Sequence, residues 1–320
     1  MKILITGALG HIGSHLIRKL PEYFPNLNIR MVDNMLTQRY CSLFNLPNGC
    51  EYQFLEEDIT KTDLEILMNG VDVVIHLAAI TDAAGSFGKE QEVEDNNYTA
   101  TSRIADTCAK LNIRLITLSS TSVYGTQNEL VDEDCTEKEL NPQSPYAVTK
   151  LKEEKYVLKL VETKKLKAVI FRFGTIFGIS EGMRFHTAVN KFCWQAVLEK
   201  PITVWRTAYE QKRPYLDLQD AIRAFCYVIE KDIFDGRIYN VVTINSTVRE
   251  IVETIKFFVP DLKIGFVDNT IMNQLSYEVS SKRFESLGFT YQGDLKNGIS
   301  KTIELLKFAN AGESHMKSIL

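Results

Sequence analysis

The chain has 320 residues, 45% of them hydrophobic and 24% charged, with a formal net charge of −4, so it can bury a large core as one big domain or two moderate ones and is neither disordered nor fibrous. No run of basic residues is present to grip a phosphate backbone or an anionic lipid surface, which argues against nucleic acid and membrane as partners. Six cysteines (Cys41, Cys50, Cys108, Cys135, Cys193, Cys226) are scattered without a C-x-x-C pair or a histidine at ligand spacing, which reads as reduced thiols and no metal site.

The opening Met1-Lys2-Ile3-Leu4-Ile5-Thr6-Gly7 runs directly into a strand and a glycine turn, leaving no room for the apolar region of a signal peptide. No apolar run approaches the length of a membrane span, and a cytoplasmic location is expected. In chain order, Lys2–Thr6, Ile29–Val32, Tyr52–Leu55, Val71–His76, Arg114–Leu118 and Ala168–Phe173 read as strands, with helical patterns between them. These runs are continuously apolar, so both faces of their sheet are buried, and strand-helix alternation implies right-handed parallel crossovers. The fold expected is α/β: a doubly wound parallel sheet (Rossmann fold) with a smaller mixed α/β C-terminal lobe. Past about residue 175 the rhythm is less regular, with helices predicted near Thr187–Glu199, Gln219–Glu230, Thr247–Phe258 and Leu295–Phe308 and short strands at Ile202–Trp205 and Ile238–Val241. We expect a dinucleotide-binding domain over 1–175 and a substrate lobe over 176–320, interleaved near 210–245 and without a flexible linker. The tail Asn310–Leu320 loses the apolar pattern and is expected to fray.

Gly7-Ala8-Leu9-Gly10-His11-Ile12-Gly13 is a G-x-x-G-x-x-G turn that follows the first strand and opens a helix predicted over Ser14–Leu20. Glycine there permits a tight turn and close backbone approach to a pyrophosphate at the helix N-terminus. Asp33, in Met31-Val32-Asp33-Asn34 at the end of the second strand, can accept hydrogen bonds from an adenosine ribose and repels a 2′-phosphate, which favours NAD over NADP. A helix-capping Asp is the plainer alternative, and Arg39 nearby would weaken the preference. His11 and His15 flank the turn with no third ligand in sequence and are not read as metal ligands.

Ser144-Pro145-Tyr146-Ala147-Val148-Thr149-Lys150 carries a Y-x-x-x-K pattern with helical character after the proline, so Tyr146 and Lys150 share a face one turn apart. An ammonium beside a phenol stabilises the phenolate, which suits Tyr146 to proton exchange with a substrate hydroxyl. Earlier in the chain, Leu118-Ser119-Ser120-Thr121-Ser122-Val123-Tyr124-Gly125 is a strand rich in hydroxyls ending in a glycine turn. Residues leaving the C-terminal end of a strand in such a sheet face the ligand crevice.

Taken together these residues resemble the extended short-chain dehydrogenases/reductases, specifically their nucleotide-sugar epimerase/dehydratase group, of UDP-glucose 4-epimerase type. The resemblance covers roughly residues 1–305 and rests on GALGHIG at 7–13, VDN at 32–34, DI at 58–59, HLAA at 76–79, NNYTAT at 96–101, SSTSVYG at 119–125, YAVTK at 146–150 and RFGTIFG at 172–178, all in the group's order. It implies that Gly7, Gly10 and Gly13, with His11 and Ile12, wrap the pyrophosphate of NAD, that Asp33 and Asn34 take the adenosine ribose, and that Asp58 and Ile59 take the adenine edge. Leu77, Ala78 and Ala79 would floor the nicotinamide ribose, with Ser119 and Phe173 beside the cofactor and Asn97 bracing the site from its helix. Lys150 would hold the nicotinamide ribose and polarise Tyr146, the base, with Thr121 in the place of the group's Ser/Thr.

For the substrate, Arg213 in Arg213-Pro214-Tyr215-Leu216-Asp217-Leu218-Gln219-Asp220 resembles the group's diphosphate clamp, Thr175 stands where its phosphate-contacting Asn is usual, and Asn190 lies in a substrate-facing region together with Arg184 and His186. Members that eliminate water place an Asp-Glu pair directly after the Thr of the hydroxyl motif. Read from Thr121, those places hold Ser122 and Val123, which disfavours a dehydratase. The resemblance therefore implies epimerisation of a nucleotide-diphosphate sugar through a keto-sugar with NAD recycled, and a homodimer built by the helices around 91–111 and 144–163. Two alternatives stay open: an NAD(P)-dependent sugar or keto-sugar dehydrogenase/reductase, and a non-catalytic NAD-binding protein.

Overall fold

Seven strands form the central sheet of the computed structural model, which describes residues 1–83, 85–127, 130–268 and 276–309. They are β1 (Lys2–Thr6), β2 (Asn28–Asp33), β3 (Glu51–Glu56), β4 (Val73–His76), β5 (Arg114–Ser120), β6 (Ala168–Phe173) and β7 (Ile238–Val241). Their order is β3-β2-β1-β4-β5-β6-β7, with every neighbour parallel. The chain reverses its direction of winding between β1 and β4, which is where an open α/β sheet places its ligand crevice. The tail expected to fray, Asn310–Leu320, lies outside the described residues.

Helices cover both faces, which is why the inner strands β4 and β6 are buried throughout, whereas β3 at the edge of the sheet alternates exposed and half-buried residues. Ile3, Ile5, Val73, Ile75 and Phe171 pack on one side with α1 (His11–Tyr23) and, through Ala221, Phe225 and Val228, with the later helix Leu218–Glu230. Leu4, Val74, Leu115 and Ile170 pack on the other with α2 (Glu90–Leu111) and α3 (Pro145–Lys164). The start of α3 is set by local chemistry: Ser144 Oγ accepts from Ala147 N at 3.2 Å and Pro145 occupies the first turn. That start places Tyr146 at the C-terminal edge of the sheet.

Beyond β6 the strand Thr175–Phe177 joins Lys212–Asp217 and Ile244–Thr247 in a three-stranded sheet, and Ile202–Trp205 pairs in parallel with Ile264–Val267. These pack with α4 (Ala188–Val197), α5 (Val248–Phe258) and α6 (Leu295–Leu306) around a second core that includes Phe177, Phe192, Val204, Ile251 and Ile299. The four predicted helices of this half are present. Ile238–Val241, whose sequence rhythm groups it with the later segments, forms the seventh strand of the main sheet. The strand Lys212–Asp217 escapes a reading by pattern because Pro214 lies inside it, a position that proline usually marks as edge or loop.

Candidate active site

A cavity of about 600 Å³ lies across the C-terminal ends of the strands, bordered by the glycine turn, α3 and the later sheet. The glycine turn is shaped by contact as well as by conformation. Gly7 has φ +64°, and a Cβ there would stand 2.7 Å from Ala78 N; at Gly13 a Cβ would stand 2.5 Å from Gly7 O. Gly10 caps α1 with no side-chain hydrogen bond, leaving the first-turn N–H groups to an external acceptor such as a phosphate. His11 bonds Ser180 Oγ through Nδ1 at 2.7 Å while its buried Nε2 has no partner, and burial lowers its pKa to about 3, so the ring is neutral.

Asp33 is fixed from both sides: Oδ2 accepts from Leu9 N at 3.1 Å and Oδ1 from Met35 N at 3.0 Å, which leaves further lone pairs for a ribose. Asn34 also lines the cavity but spends Oδ1 on Leu36 N. Asp58 and Ile59 form the next wall, with Arg103 Nη1 donating to Ile59 O at 2.6 Å. Opposite, Leu77, Ala78 and Ala79 line the floor, and Thr6 Oγ1 accepts from Leu77 N and Ala78 N at 3.2 and 3.3 Å. A narrow glycine passage, a free helix N-terminus and a held carboxylate at the end of β2 together fit a dinucleotide.

Tyr146 and Lys150 both line the cavity, with the ammonium 5.9 Å from the centre of the phenol ring. Burial pushes the Tyr146 pKa above its ordinary value and the Lys150 charge pulls it back, with Glu153 opposing and Ser120 and Arg184 assisting. Ser120 and Thr121 both line the cavity, and it is the Ser120 hydroxyl, not that of the expected Thr121, that acts on the Tyr146 phenol and lowers its pKa. Thr121 is one residue further on, where the chain turns into a 3-10 helix (Thr121–Tyr124), so its side chain points elsewhere: Oγ1 donates to Phe173 O at 3.3 Å and shares a hydrogen bond with the Tyr277 hydroxyl. Ser119, Phe173 and Thr175 line the same cavity.

Two predicted contacts stand behind the wall. Asn190 is fully buried and absent from the cavity lining, with Oδ1 accepting from Gly178 N at 3.3 Å and Nδ2 donating to Arg184 O at 3.2 Å, so it shapes the segment that carries Arg184. Asn97 likewise clasps Ile80, accepting from its N at 2.8 Å and donating to its O at 2.9 Å, a bracing role. Arg213 lines the far end of the cavity, and its buried Nε and Nη2 have no partner. Tyr215, with an unpartnered hydroxyl, and Tyr277 stand beside it. An unsatisfied guanidinium in an apolar wall is a site for an anion with several oxygens. Sequence reasoning missed Tyr277 as a cavity residue; Arg39, read there as a neighbour of Asp33, lines the cavity too, and Arg184 gains weight: it donates to Thr81 Oγ1 at 2.6 Å and its charge reaches Tyr146.

Among the described residues no group of three or more His, Cys, Asp or Glu gathers to hold a metal, and no helix is long and apolar enough to cross a membrane.

Known proteins are similar to this chain in sequence and in fold. YtcB of Bacillus subtilis, described as an uncharacterized UDP-glucose epimerase, is 29% identical over 98% of this chain and 100% of its own length. RHM1 of Arabidopsis thaliana, a trifunctional UDP-glucose 4,6-dehydratase/UDP-4-keto-6-deoxy-D-glucose 3,5-epimerase/UDP-4-keto-L-rhamnose-reductase, is 27% identical over 94% of this chain, which spans 46% of that longer protein. The solved structure of UDP-glucuronic acid 4-epimerase from Bacillus cereus, in complex with UDP-glucuronic acid and NAD, superposes with a TM-score of 0.85 at 27% identity, covering 96% of this chain and 99% of that one. Residues 3–241 match the NAD dependent epimerase/dehydratase family. That match takes in the glycine turn, the Tyr146–Lys150 pair and all seven strands of the sheet, and the chain belongs to this family of NAD-dependent extended short-chain dehydrogenases/reductases.

Proposed function

We propose that the protein epimerises a nucleoside-diphosphate sugar through a transient keto-sugar, with Tyr146 as the base and NAD returned to its starting state in each cycle. The observation that carries this reading is the cavity itself, in which Tyr146 and Lys150 stand between a dinucleotide passage at one end and the unpartnered Arg213 guanidinium at the other. In it Gly7, Gly10 and Gly13 hold the pyrophosphate of NAD, Asp33 the adenosine ribose, and Lys150 the nicotinamide ribose. Bound NAD supplies a hydride acceptor and, in the second half of the cycle, a donor. Tyr146 removes the proton of the sugar hydroxyl as that carbon is oxidised and returns it after the keto-sugar has turned its other face, while Ser120 holds the reacting oxygen. Arg213 anchors the diphosphate, so the sugar can turn without leaving.

Dehydration is the second reading, because relatives such as RHM1 carry it. Against it stands the chemistry after Ser120. With the partner hydroxyl assigned to Ser120, the two following places hold Thr121 and Ser122, neither of them an acid, and Asp82, which lines the cavity, spends Oδ1 on Gly85 N at 2.9 Å.

Turnover of purified protein without added cofactor, against UDP-, GDP-, CDP- and dTDP-sugars with products read by NMR, tests the proposal. One sugar converted to its epimer with no net reduced nicotinamide is the expected result. Consumption of a keto-sugar only on addition of NADH or NADPH makes the protein a reductase, and a 4-keto-6-deoxy product makes it a dehydratase. The same reading expects a homodimer through α2 and α3, checked by the mass of the protein in solution.

A further inference from the structure

Lys150 is not isolated beneath Tyr146. Its ammonium donates to Glu153 Oε2 at 2.9 Å, and the two side chains are only 6% and 4% exposed. The same carboxylate oxygen accepts from Thr101 Oγ1 at 2.8 Å. The Thr101 hydroxyl meets His76 Nε2 at 3.1 Å, and His76 Nδ1 meets Thr6 Oγ1 at 2.7 Å. Thr6 Oγ1 is the atom that accepts from the N–H groups of Leu77 and Ala78.

The direction of these bonds is determined at every link. Thr101 spends its proton on Glu153, so it accepts from His76 Nε2–H, and Nδ1 of a neutral ring then accepts from the Thr6 hydroxyl. His76 suits this role, since burial lowers its pKa to about 3. An unbroken buried chain thus runs from Lys150 on α3, across α2 and β4, to β1 and the floor of the cofactor passage.

Glu153 is the counter-ion of the buried Lys150 ammonium, as Glu154 is of Arg172, but its hydrogen bonds reach beyond that pair: Oε2 takes both the Lys150 and the Thr101 bond, while Oε1 is buried without a partner. We propose that Glu153 is the positioning residue of this centre: it fixes the Lys150 ammonium and ties it, through Thr101, His76 and Thr6, to the backbone of Leu77 and Ala78 across the cofactor passage. The inference rests on Tyr146 and Lys150 being the reacting pair.

The charge of Glu153 acts on Tyr146 as well. The groups facing that phenol are Lys150 and Glu153 on α3, Ser120 from the end of β5 and Arg184 from the segment after β6, while His76 from β4 is neutral and Glu154 is bound to Arg172. Glu153 is the one side-chain anion among them that opposes the phenolate.

The NAD-loaded protein tests this without a known substrate. Tyrosinate absorbance is titrated in the parent, Tyr146→Phe and Glu153→Gln, and the difference between parent and Tyr146→Phe isolates Tyr146. In Glu153→Gln, which keeps both hydrogen bonds and removes the charge, Tyr146 titrates about one pH unit lower. In Glu153→Ala the tether is lost too, and NAD retained through gel filtration falls about tenfold or more. If Glu153→Gln titrates as the parent does, or Glu153→Ala keeps its NAD, the proposal fails. Should Glu153→Ala not fold, the Glu153→Gln titration decides alone. Turnover of the sugar panel by Tyr146→Phe separates the two ideas: an active variant overturns the reacting pair and this inference with it, whereas an inactive one beside an unchanged titration in Glu153→Gln overturns Glu153 alone.

Discussion

Glu154→Gln is the substitution whose cost the structure predicts most directly. Glu154 on α3 and Arg172 on β6 are joined by two bonds, Nε to Oε1 at 2.8 Å and Nη2 to Oε2 at 2.7 Å, between side chains 2% and 4% exposed. The guanidinium also lies 4.8 Å from the centre of the Tyr124 ring, whose hydroxyl donates to Asn240 Oδ1 at 2.9 Å. Burial works against this charge, but the Glu154 bonds raise the guanidinium's pKa beyond its ordinary value, so it stays charged. A glutamine at 154 leaves that charge buried without its counter-ion, a loss of about 3–5 kcal/mol. At about 2 °C per kcal/mol for a chain of this size, the melting temperature falls by about 6–10 °C. Thermal melts followed by far-UV circular dichroism at neutral pH measure it. The double change Glu154→Leu with Arg172→Met removes both charges and recovers most of the loss. A Glu154→Gln protein melting within about 2 °C of the parent, or a double variant worse than the single, refutes the reasoning.

Ser120→Ala removes the hydroxyl that acts on Tyr146 and lowers kcat about 100-fold, whereas Thr121→Val, at a side chain bonded to the Phe173 carbonyl, lowers it far less; equal losses overturn the assignment of Ser120. Arg213→Ala raises KM for the nucleotide sugar about 10- to 100-fold with a smaller change in kcat, since the charged bonds it would make are worth about 1.5–3 kcal/mol; an unchanged KM removes Arg213 from the diphosphate site. His76, with its pKa lowered to about 3, refuses the proton that the unfolded chain takes at about 6.5, so stability falls as pH drops through that window. Between pH 6.5 and 5.0, urea melts of His76→Asn show a loss smaller by about 1.5 kcal/mol than that of the parent, to which His11 and His186 also contribute.

Local chemistry made much of this legible in the sequence. The glycine turn, Asp33 and the Tyr146–Lys150 pair each need only a few neighbouring residues, and the continuously apolar strands already implied a sheet covered on both faces. What depends on distant segments did not show. Ser120 and Thr121 are adjacent hydroxyls, and only the turn after β5 decides which of them meets Tyr146. Asn190 lay in the right region, but its amide is consumed by Gly178 and Arg184. Glu153 reads on paper as one more charge on a helix, and it becomes part of the centre because Thr101 and His76 arrive from other elements.

Gly182 links the two halves of the molecule at the cavity's edge. Its N–H donates to Ser14 Oγ at 2.9 Å, and a Cβ would stand 2.4 Å from Leu9 O and 2.6 Å from Gly10 O, so backbone rests on backbone. Arg18 pairs with Glu181 at 3.1 Å and His11 bonds Ser180 beside it. The segment that carries Arg184 to the reacting end is thereby buttoned onto the turn that receives the pyrophosphate. A shift of this segment would therefore move Arg184 and the edge of the glycine turn together. The turn shaped to receive a pyrophosphate and the segment that carries Arg184 thus rest on one shared contact.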